Sequence, residues 1–94
     1  MGTLCDEVQR LGKGIGNAAR YSILEALLEG SKTVGELVTI IRLSQPAVSQ
    51  HLKVLKSCNL VLDERRGQEV WYAVNAAYML KVITALSKDV KKCK

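Results

Sequence analysis

The sequence predicts a mostly α-helical domain with a small β-hairpin. Apolar residues recur every three or four positions through most of the chain, the spacing that gives a helix one buried face. The exception is the region Leu60–Asn75, where two short runs rich in β-branched and aromatic residues flank Arg66-Gly67-Gln68, a pattern typical of a hairpin. A chain of 94 residues has room for one small domain. We therefore predict a single domain over residues 1–94 with the order α-α-α-α-β-β-α.

Local signals set the predicted bounds of the first two helices. The first is expected over Thr3–Leu11, because the segment after it, GKGIGN (Gly12–Asn17), holds three glycines. Asn17 can cap the N-terminus of the second helix, whose sequence is AARYSILEALLEG and whose stop is Gly30. The apolar residues at helical spacing in this second helix are Ile23, Leu24, Leu27 and Leu28.

Two further caps mark the third and fourth helices. Thr33–Glu36 (Thr-Val-Gly-Glu) fits a capping box, in which the threonine hydroxyl and the glutamate carboxylate accept hydrogen bonds from backbone N–H groups. The third helix is expected to run from this box to Arg42. Ser44 then caps the fourth helix, and Pro46 is tolerated in the first turn because no intrahelical donor is needed there. Asn59 is expected to follow as a left-handed C-cap.

The two strands and the last helix complete the predicted order. The strands are expected over Leu60–Arg65 and Glu69–Asn75, and an amphipathic helix begins near Asn75. Trp71 and Tyr72, on the second strand, are expected to pack against the last helix or the fourth helix. Cys58, just before the first strand, is expected to be a small buried hydrophobe.

The fourth helix predicts an unusual exposed face. At about 100° per residue, Val48, Leu52 and Leu55 cluster within about 60° of arc, which predicts a buried stripe. Away from that stripe the helix has no carboxylate, and its residues there are Gln45, Pro46, Ser49, Gln50, Lys53, Lys56 and Ser57. An ordinary exposed helix mixes acids and bases, whereas a helix in a DNA groove needs amides and hydroxyls for base edges and lysines for phosphates. The alternative is a solvated helix that happens to lack acids.

With the short helix before it and the hairpin after it, this helix predicts a DNA-binding winged helix-turn-helix. Gln50 can bond bidentately to an adenine, and Ser49 can donate or accept a hydrogen bond. At the tip of the wing, Arg65, Arg66 and Gln68 are suited to a minor groove or to flanking phosphates. The alternative for the two arginines is an ordinary polar turn.

The charge distribution agrees with a polyanionic partner. The chain has 14 Lys+Arg and 9 Asp+Glu, giving a net charge of +5 and a pI near 9.3. Residues 1–31 hold three basic and four acidic residues, a net of −1, whereas residues 32–94 hold eleven and five, a net of +6. A basic half favours nucleic acid first and an acidic membrane surface second, the alternative being a basic surface without a partner.

The sequence carries no signal for the membrane or for secretion. No stretch approaches the roughly 18–20 continuous apolar residues of a membrane span. The segment MGTLCDEVQR is too polar and acidic for a signal peptide, and three cysteines are too few for a secreted disulfide scaffold. We therefore expect a cytoplasmic protein without a membrane partner.

Catalytic chemistry is not predicted. His51 is the only histidine and lies about 60° from the buried stripe, so we expect a hydrogen-bonded boundary histidine or a phosphate contact. No paired carboxylates share a face, and GKGIG lacks the Lys-Ser/Thr ending of a phosphate-binding loop. We predict that the protein is not an enzyme and has no cofactor. The remaining alternative is a winged-helix module for protein or RNA contacts, although an RNA binder should display more stacking aromatics.

Taken together, LSQPAVSQHLKVLKSCNLV and the RRGQEVWYAV segment after it resemble the arsenic-repressor/metallothionein-repressor (ArsR/SmtB) family of bacterial regulators. GNAARYSILEALLEG is similar to the second helix of that family, so the resemblance covers nearly the whole chain. It implies a homodimer formed by the first and last helices, which represses by binding an imperfect inverted repeat of double-stranded DNA in its own promoter. The family positions for DNA contact fall on Ser44, Gln45, Ser49, Gln50 and His51. Adding the face and wing residues gives the full predicted set: Ser44, Gln45, Pro46, Ser49, Gln50, His51, Lys53, Lys56, Arg65, Arg66 and Gln68.

The chain departs from the metal-sensing members of that family. Val38 and Ile40 occupy the positions of a Cys-x-Cys metal pair, and the last helix has no histidine and only Asp89 as an acid. We therefore predict no metal site, since the nitrogen and thiolate ligands of zinc are missing. Glu25 stands near the position of the second-helix cysteine in thiol-sensing relatives.

Cys5 and Cys93 are the candidate effector thiols. Both fall on the terminal helices, where they could form a disulfide or persulfide bridge or bind a soft metalloid such as arsenite. Lys91, Lys92 and Lys94 around Cys93 favour its thiolate. The alternative is that both cysteines are incidental, so the sequence leaves the effector open.

Overall fold

The computed structural model describes residues 4–92 and contains five helices and a three-stranded sheet. The elements are α1 (Leu4–Ile15), α2 (Ala18–Leu28), β1 (Lys32–Thr33), α3 (Val34–Ile41), α4 (Gln45–Ser57), β2 (Val61–Arg66), β3 (Glu69–Val74) and α5 (Ala76–Lys92). The mostly helical fold with a β-hairpin is confirmed. The predicted order α-α-α-α-β-β-α omits one element, the short strand β1. This strand pairs antiparallel with β3 through Lys32↔Tyr72 and Thr33↔Trp71. The sheet therefore has the strand order β1-β3-β2. A two-residue strand is too short for a visible alternation of apolar and polar residues.

Side-chain caps begin four of the helices, and the caps at Asn17, Thr33 and Ser44 confirm the prediction. The side chains of Asn17, Thr33, Ser44 and Asn75 each accept a hydrogen bond from a backbone N–H three residues further on. At α3 the capping box is complete, because Glu36 Oε1 also accepts from the Thr33 backbone N–H at 3.0 Å. These bonds satisfy N–H groups that lack a partner in the first turn of a helix.

The predicted end of the first helix at Leu11 is wrong, since α1 continues to Ile15. Arg20, in the first turn of α2, holds the C-terminal turn of α1. Its Nη2 donates to the Lys13 carbonyl at 3.0 Å and its Nε donates to the Gly14 carbonyl at 3.3 Å. Two carbonyls at the end of the helix thereby gain partners from another element.

Gly14 lets α1 approach the core closely. The residue is buried, and a Cβ added there would overlap the Leu60 side chain. The same Cβ would also touch Leu55 at 3.5 Å. The role of Gly14 is therefore to allow α1 to pack closely against the core. It does not break the helix, although its sequence context indicates a break.

The core lies between α2, α3, α4 and the start of β2. Its buried residues are Ile23, Leu24, Ala26, Leu27, Leu37, Val48, Leu52, Leu55, Cys58, Leu60 and Val61. The predicted stripe of α4 and the predicted burial of Cys58 are both confirmed. Among the described residues, no helix is long and apolar enough to cross a membrane.

Helix α5 packs against α1 and has two apolar faces. Val82 lies on the inner face and is fully buried within the protomer, so it is not available to a partner subunit. The outer face carries exposed Leu80, Ile83, Leu86 and Val90, between 39% and 63% accessible. This outer face is apolar surface that the protomer itself does not cover.

The contact between Gly14 and Leu60 predicts opposite effects for two neighbouring glycines. Gly14→Ala should lower the free energy of unfolding by about 1–3 kcal/mol, because its methyl group enters a filled core. Gly12→Ala is the matched control in the same helix, with no atom within 4 Å of the added Cβ. It should raise the free energy of unfolding by about 0.5–1 kcal/mol. Urea unfolding at one protein concentration measures both, and equal effects would contradict the packing assigned to Gly14.

Candidate nucleic-acid interface

Helices α3 and α4 form a helix-turn-helix with a short turn. Arg42 adopts φ 65 in the left-handed region, and its N–H donates to the Val38 carbonyl at 2.9 Å, which ends α3. Ser44 then caps α4, so only Leu43 separates the C-cap of α3 from the N-cap of α4. Because the apolar stripe of α4 is held in the core, its opposite face points to solvent.

That outward face of α4 carries most of the predicted contact residues. Exposed residues among them are Ser44, Gln45, Pro46, Ser49, Gln50, Lys53 and Lys56. Within residues 4–92, the side chains of Ser49, Gln50 and Lys53 have no hydrogen bond or ion pair. The amide of Gln50, the hydroxyl of Ser49 and the ammonium group of Lys53 are therefore available to hydrogen-bond with an external partner.

His51 lies at the edge of this face and is half-buried. Its Nδ1 is buried and has no hydrogen-bond partner within the described part of the chain. No described residue supplies the hydrogen bond that is expected of a boundary histidine at this nitrogen. The phosphate contact that was its alternative stays a prediction.

Lys56 differs from Lys53 because it is already paired. Its Nζ donates to Asp63 Oδ2 on β2 at 2.8 Å, which ties the last turn of α4 to the wing. The hydrogen bond to Asp63 and the charge of that carboxylate raise the pKa of Lys56, and Tyr72 adds a smaller effect in the same direction. The sequence prediction placed both lysines among the DNA contacts, without a partner inside the protein for either.

The wing directs its two arginines to opposite faces. Strand β2 extends through Arg66, which the sequence prediction assigned to the turn, and side chains along a strand alternate. Arg65 shares a face with Asp63, the face turned towards α4. Arg66 shares the other face with Glu64, whose Oε1 accepts from Arg66 Nε at 3.0 Å.

Trp71 completes the arrangement on that second face. It lies opposite Glu64 in the strand register, and the Arg66 guanidinium stands 4.9 Å from its ring centroid. The prediction that Trp71 packs against a helix is wrong, whereas Tyr72, on the first face, packs against the core. Gln68 is exposed at the tip beside Gly67, whose φ of 64 suits a residue without a Cβ.

The other predicted ligand positions are described only in part. No group of three or more His, Cys, Asp or Glu side chains within residues 4–92 is arranged to hold a metal ion. Val38 packs against the core, and Ile40 is half-exposed. The Cys5 side chain and Cys93 lie outside the described residues, so their role as effector thiols stays a prediction.

Known proteins resemble both the sequence and the fold. Residues 17–62 match the family described as "Bacterial regulatory protein, arsR family". The transcriptional repressor SdpR of Bacillus subtilis is 30% identical over 80 residues, covering 85% of this chain and 89% of SdpR. The transcriptional repressor SmtB of Mycobacterium tuberculosis is 34% identical over the same share of this chain, which spans 59% of SmtB.

A solved structure gives the same result for the fold. The homodimeric winged helix-turn-helix DNA-binding domain of a possible ArsR-family regulator from Mycobacterium bovis superposes with a TM-score of 0.75 at 30% identity. The superposition covers 92% of this chain and 82% of that one. With the helix-turn-helix inside the matched segment and SdpR aligned over most of its length, this chain belongs to the ArsR family of bacterial regulatory proteins.

Proposed function

We propose that this chain is a transcriptional repressor that binds an imperfect inverted repeat of DNA as a homodimer. The observation that carries the proposal is the outward face of α4, where Ser49, Gln50 and Lys53 are exposed and have no partner within residues 4–92. Base edges in the major groove require amides and hydroxyls, and the phosphates require cations. The family and the repressors related to this chain support the same function.

The proposed mechanism is binding without a catalytic step. Helix α4 would lie in the major groove with Gln50 and Ser49 at base edges, while Lys53 and Arg65 approach phosphates. Such a protein acts where the DNA is, so we propose a cytoplasmic location. The whole chain, residues 1–94, would act as one DNA-binding domain with terminal dimerisation helices. Contact with proteins or RNA is not favoured, because the related proteins are repressors.

The proposed dimer uses the outer face of α5. Leu80, Ile83, Leu86 and Val90 recur every three or four residues and leave a continuous apolar strip beside α1. The relative from Mycobacterium bovis is homodimeric. Two recognition helices related by a twofold axis read half-sites about one helical turn apart, or a multiple of that distance.

Charge introduced into the strip should separate the protomers. Ile83→Glu should weaken the dimer by roughly a hundredfold or more, because an unpaired carboxylate would enter an apolar contact. Leu28→Glu is the matched control, since Leu28 is 68% exposed on α2, away from the strip. Sedimentation at micromolar concentration should give twice the chain mass for the parent and the control. A parent that sediments as a monomer would overturn the proposed dimer.

Two substitutions on α4 separate base reading from phosphate binding. Gln50→Ala should cost about 1–3 kcal/mol on the cognate repeat and relax the preference at one base pair. Lys53→Ala should weaken binding to all sequences alike and reduce the slope of log K against log salt by about one. Titrations of cognate and random duplexes over a salt series measure both. Equal losses on the two duplexes for Gln50→Ala would contradict its assignment to a base edge.

The alternation of side chains in the wing predicts unequal roles for its arginines. Arg65→Ala should lower the affinity for DNA and reduce the slope of log K against log salt by about one. The reason is that Arg65 has no partner within residues 4–92 and lies on the face of the wing that is turned towards α4. Arg66→Ala should have a smaller effect, since Arg66 is held by Glu64 over Trp71 on the other face. Neither substitution should change the dimer mass. A larger loss for Arg66→Ala than for Arg65→Ala would contradict the assignment of faces.

A further inference from the structure

Helix α4 offers two lysines to DNA, but the protein uses one of them internally. Lys56 Nζ and Asp63 Oδ2 lie 2.8 Å apart, whereas Lys53 has no partner among the described residues. The Lys56 and Asp63 side chains are 56% and 30% exposed, so the pair lies at the protein surface, where the last turn of α4 meets β2.

The Lys56–Asp63 pair is not explained by its contribution to the stability of the fold. An exposed ion pair adds little to the free energy of unfolding. The ladder between β2 and β3 already fixes the wing, with six paired positions from Val61↔Val74 to Arg66↔Glu69. A carboxylate beside the proposed DNA-binding face also repels phosphate, which makes its position there costly for binding.

The pair does have a direct consequence for binding to DNA. Each lysine that neutralises a phosphate steepens the salt dependence and adds affinity for every sequence alike. Gln50, the proposed reader of a base, lies nearly two turns before Lys56 in α4 and contacts neither member of the pair. Pairing Lys56 with Asp63 therefore lowers the sequence-independent part of the affinity, for operator and random DNA alike, without removing a contact to bases.

We propose that Asp63 is a positioning residue that holds Lys56 on the wing and away from the DNA phosphates, so that the sequence-independent part of the affinity for DNA is lowered and its salt dependence is shallower. The partner concerned is duplex DNA, and the inference rests on the proposed function. Removing the carboxylate should release Lys56 as one additional phosphate contact.

The test is a set of variants titrated with random and cognate duplexes over a salt series. Asp63→Asn should steepen the salt slope by about 0.9 and tighten binding to random DNA several-fold at 0.1 M salt. Lys56→Met keeps most of the aliphatic stem and should leave the slope of the parent unchanged. In the Asp63→Asn background, the same substitution should abolish the gain.

Glu69→Gln is the matched control. It removes one carboxylate from the same wing, and Glu69 forms no ion pair among the described residues. It should change the slope much less than Asp63→Asn. Equal slopes for the two variants, or an unchanged slope for Asp63→Asn with lower thermal stability, would overturn the inference.

Failure of the inference is distinguishable from failure of the proposed function. If the parent protein binds the inverted repeat but Lys56→Met alone reduces its slope by about 0.9, then Lys56 contacts a phosphate and only the inference is wrong. If the parent protein binds no duplex DNA, both the proposed function and the inference are overturned.

Discussion

The burial of Val48, Leu52 and Leu55 is the constraint on which the rest of the structure depends. These side chains are almost fully inaccessible and hold α4 in one rotational setting against the core. Rotation of the helix by one residue would expose part of the stripe and bury Ser49 or His51. The polar face is thus oriented by apolar packing, and the amides and cations need no interaction of their own to point outwards. Functional side chains on α4 can therefore vary without affecting the fold, provided that the stripe is kept.

Features encoded by neighbouring residues could be predicted from the sequence. A cap depends on a hydroxyl or amide and on an N–H three residues away, so Asn17, Thr33 and Ser44 mark their helices without any knowledge of the tertiary structure. The same holds for the buried stripe of α4, which follows from helical periodicity alone. The family resemblance rests on the order of these local motifs, so it could also be recognised from the sequence. The match of residues 17–62 to the family confirms it.

Features that depend on distant residues could not be predicted. Gly14 has the local signature of a helix break, and only the position of Leu60 reveals its packing role. Strand β1 exists because Lys32 and Thr33 meet β3, which lies far along the chain. In the interface, the sequence gives the residue types of Lys56 and Arg66. Only the structure shows that an acid on the wing already holds each of them.

Thr33 has a consequence for how the protein can respond to a signal. It pairs with Trp71 in the sheet and also caps α3 with its hydroxyl, so one residue belongs both to the base of the wing and to the start of the helix-turn-helix. A hinge between these two parts would have to break the strand pairing and the cap together. Thr33 therefore couples the base of the wing to the start of the helix-turn-helix. A signal that changed the angle between these two parts would have to supply the free energy of both interactions, whereas a rotation of one protomer against the other in the proposed dimer would leave both intact.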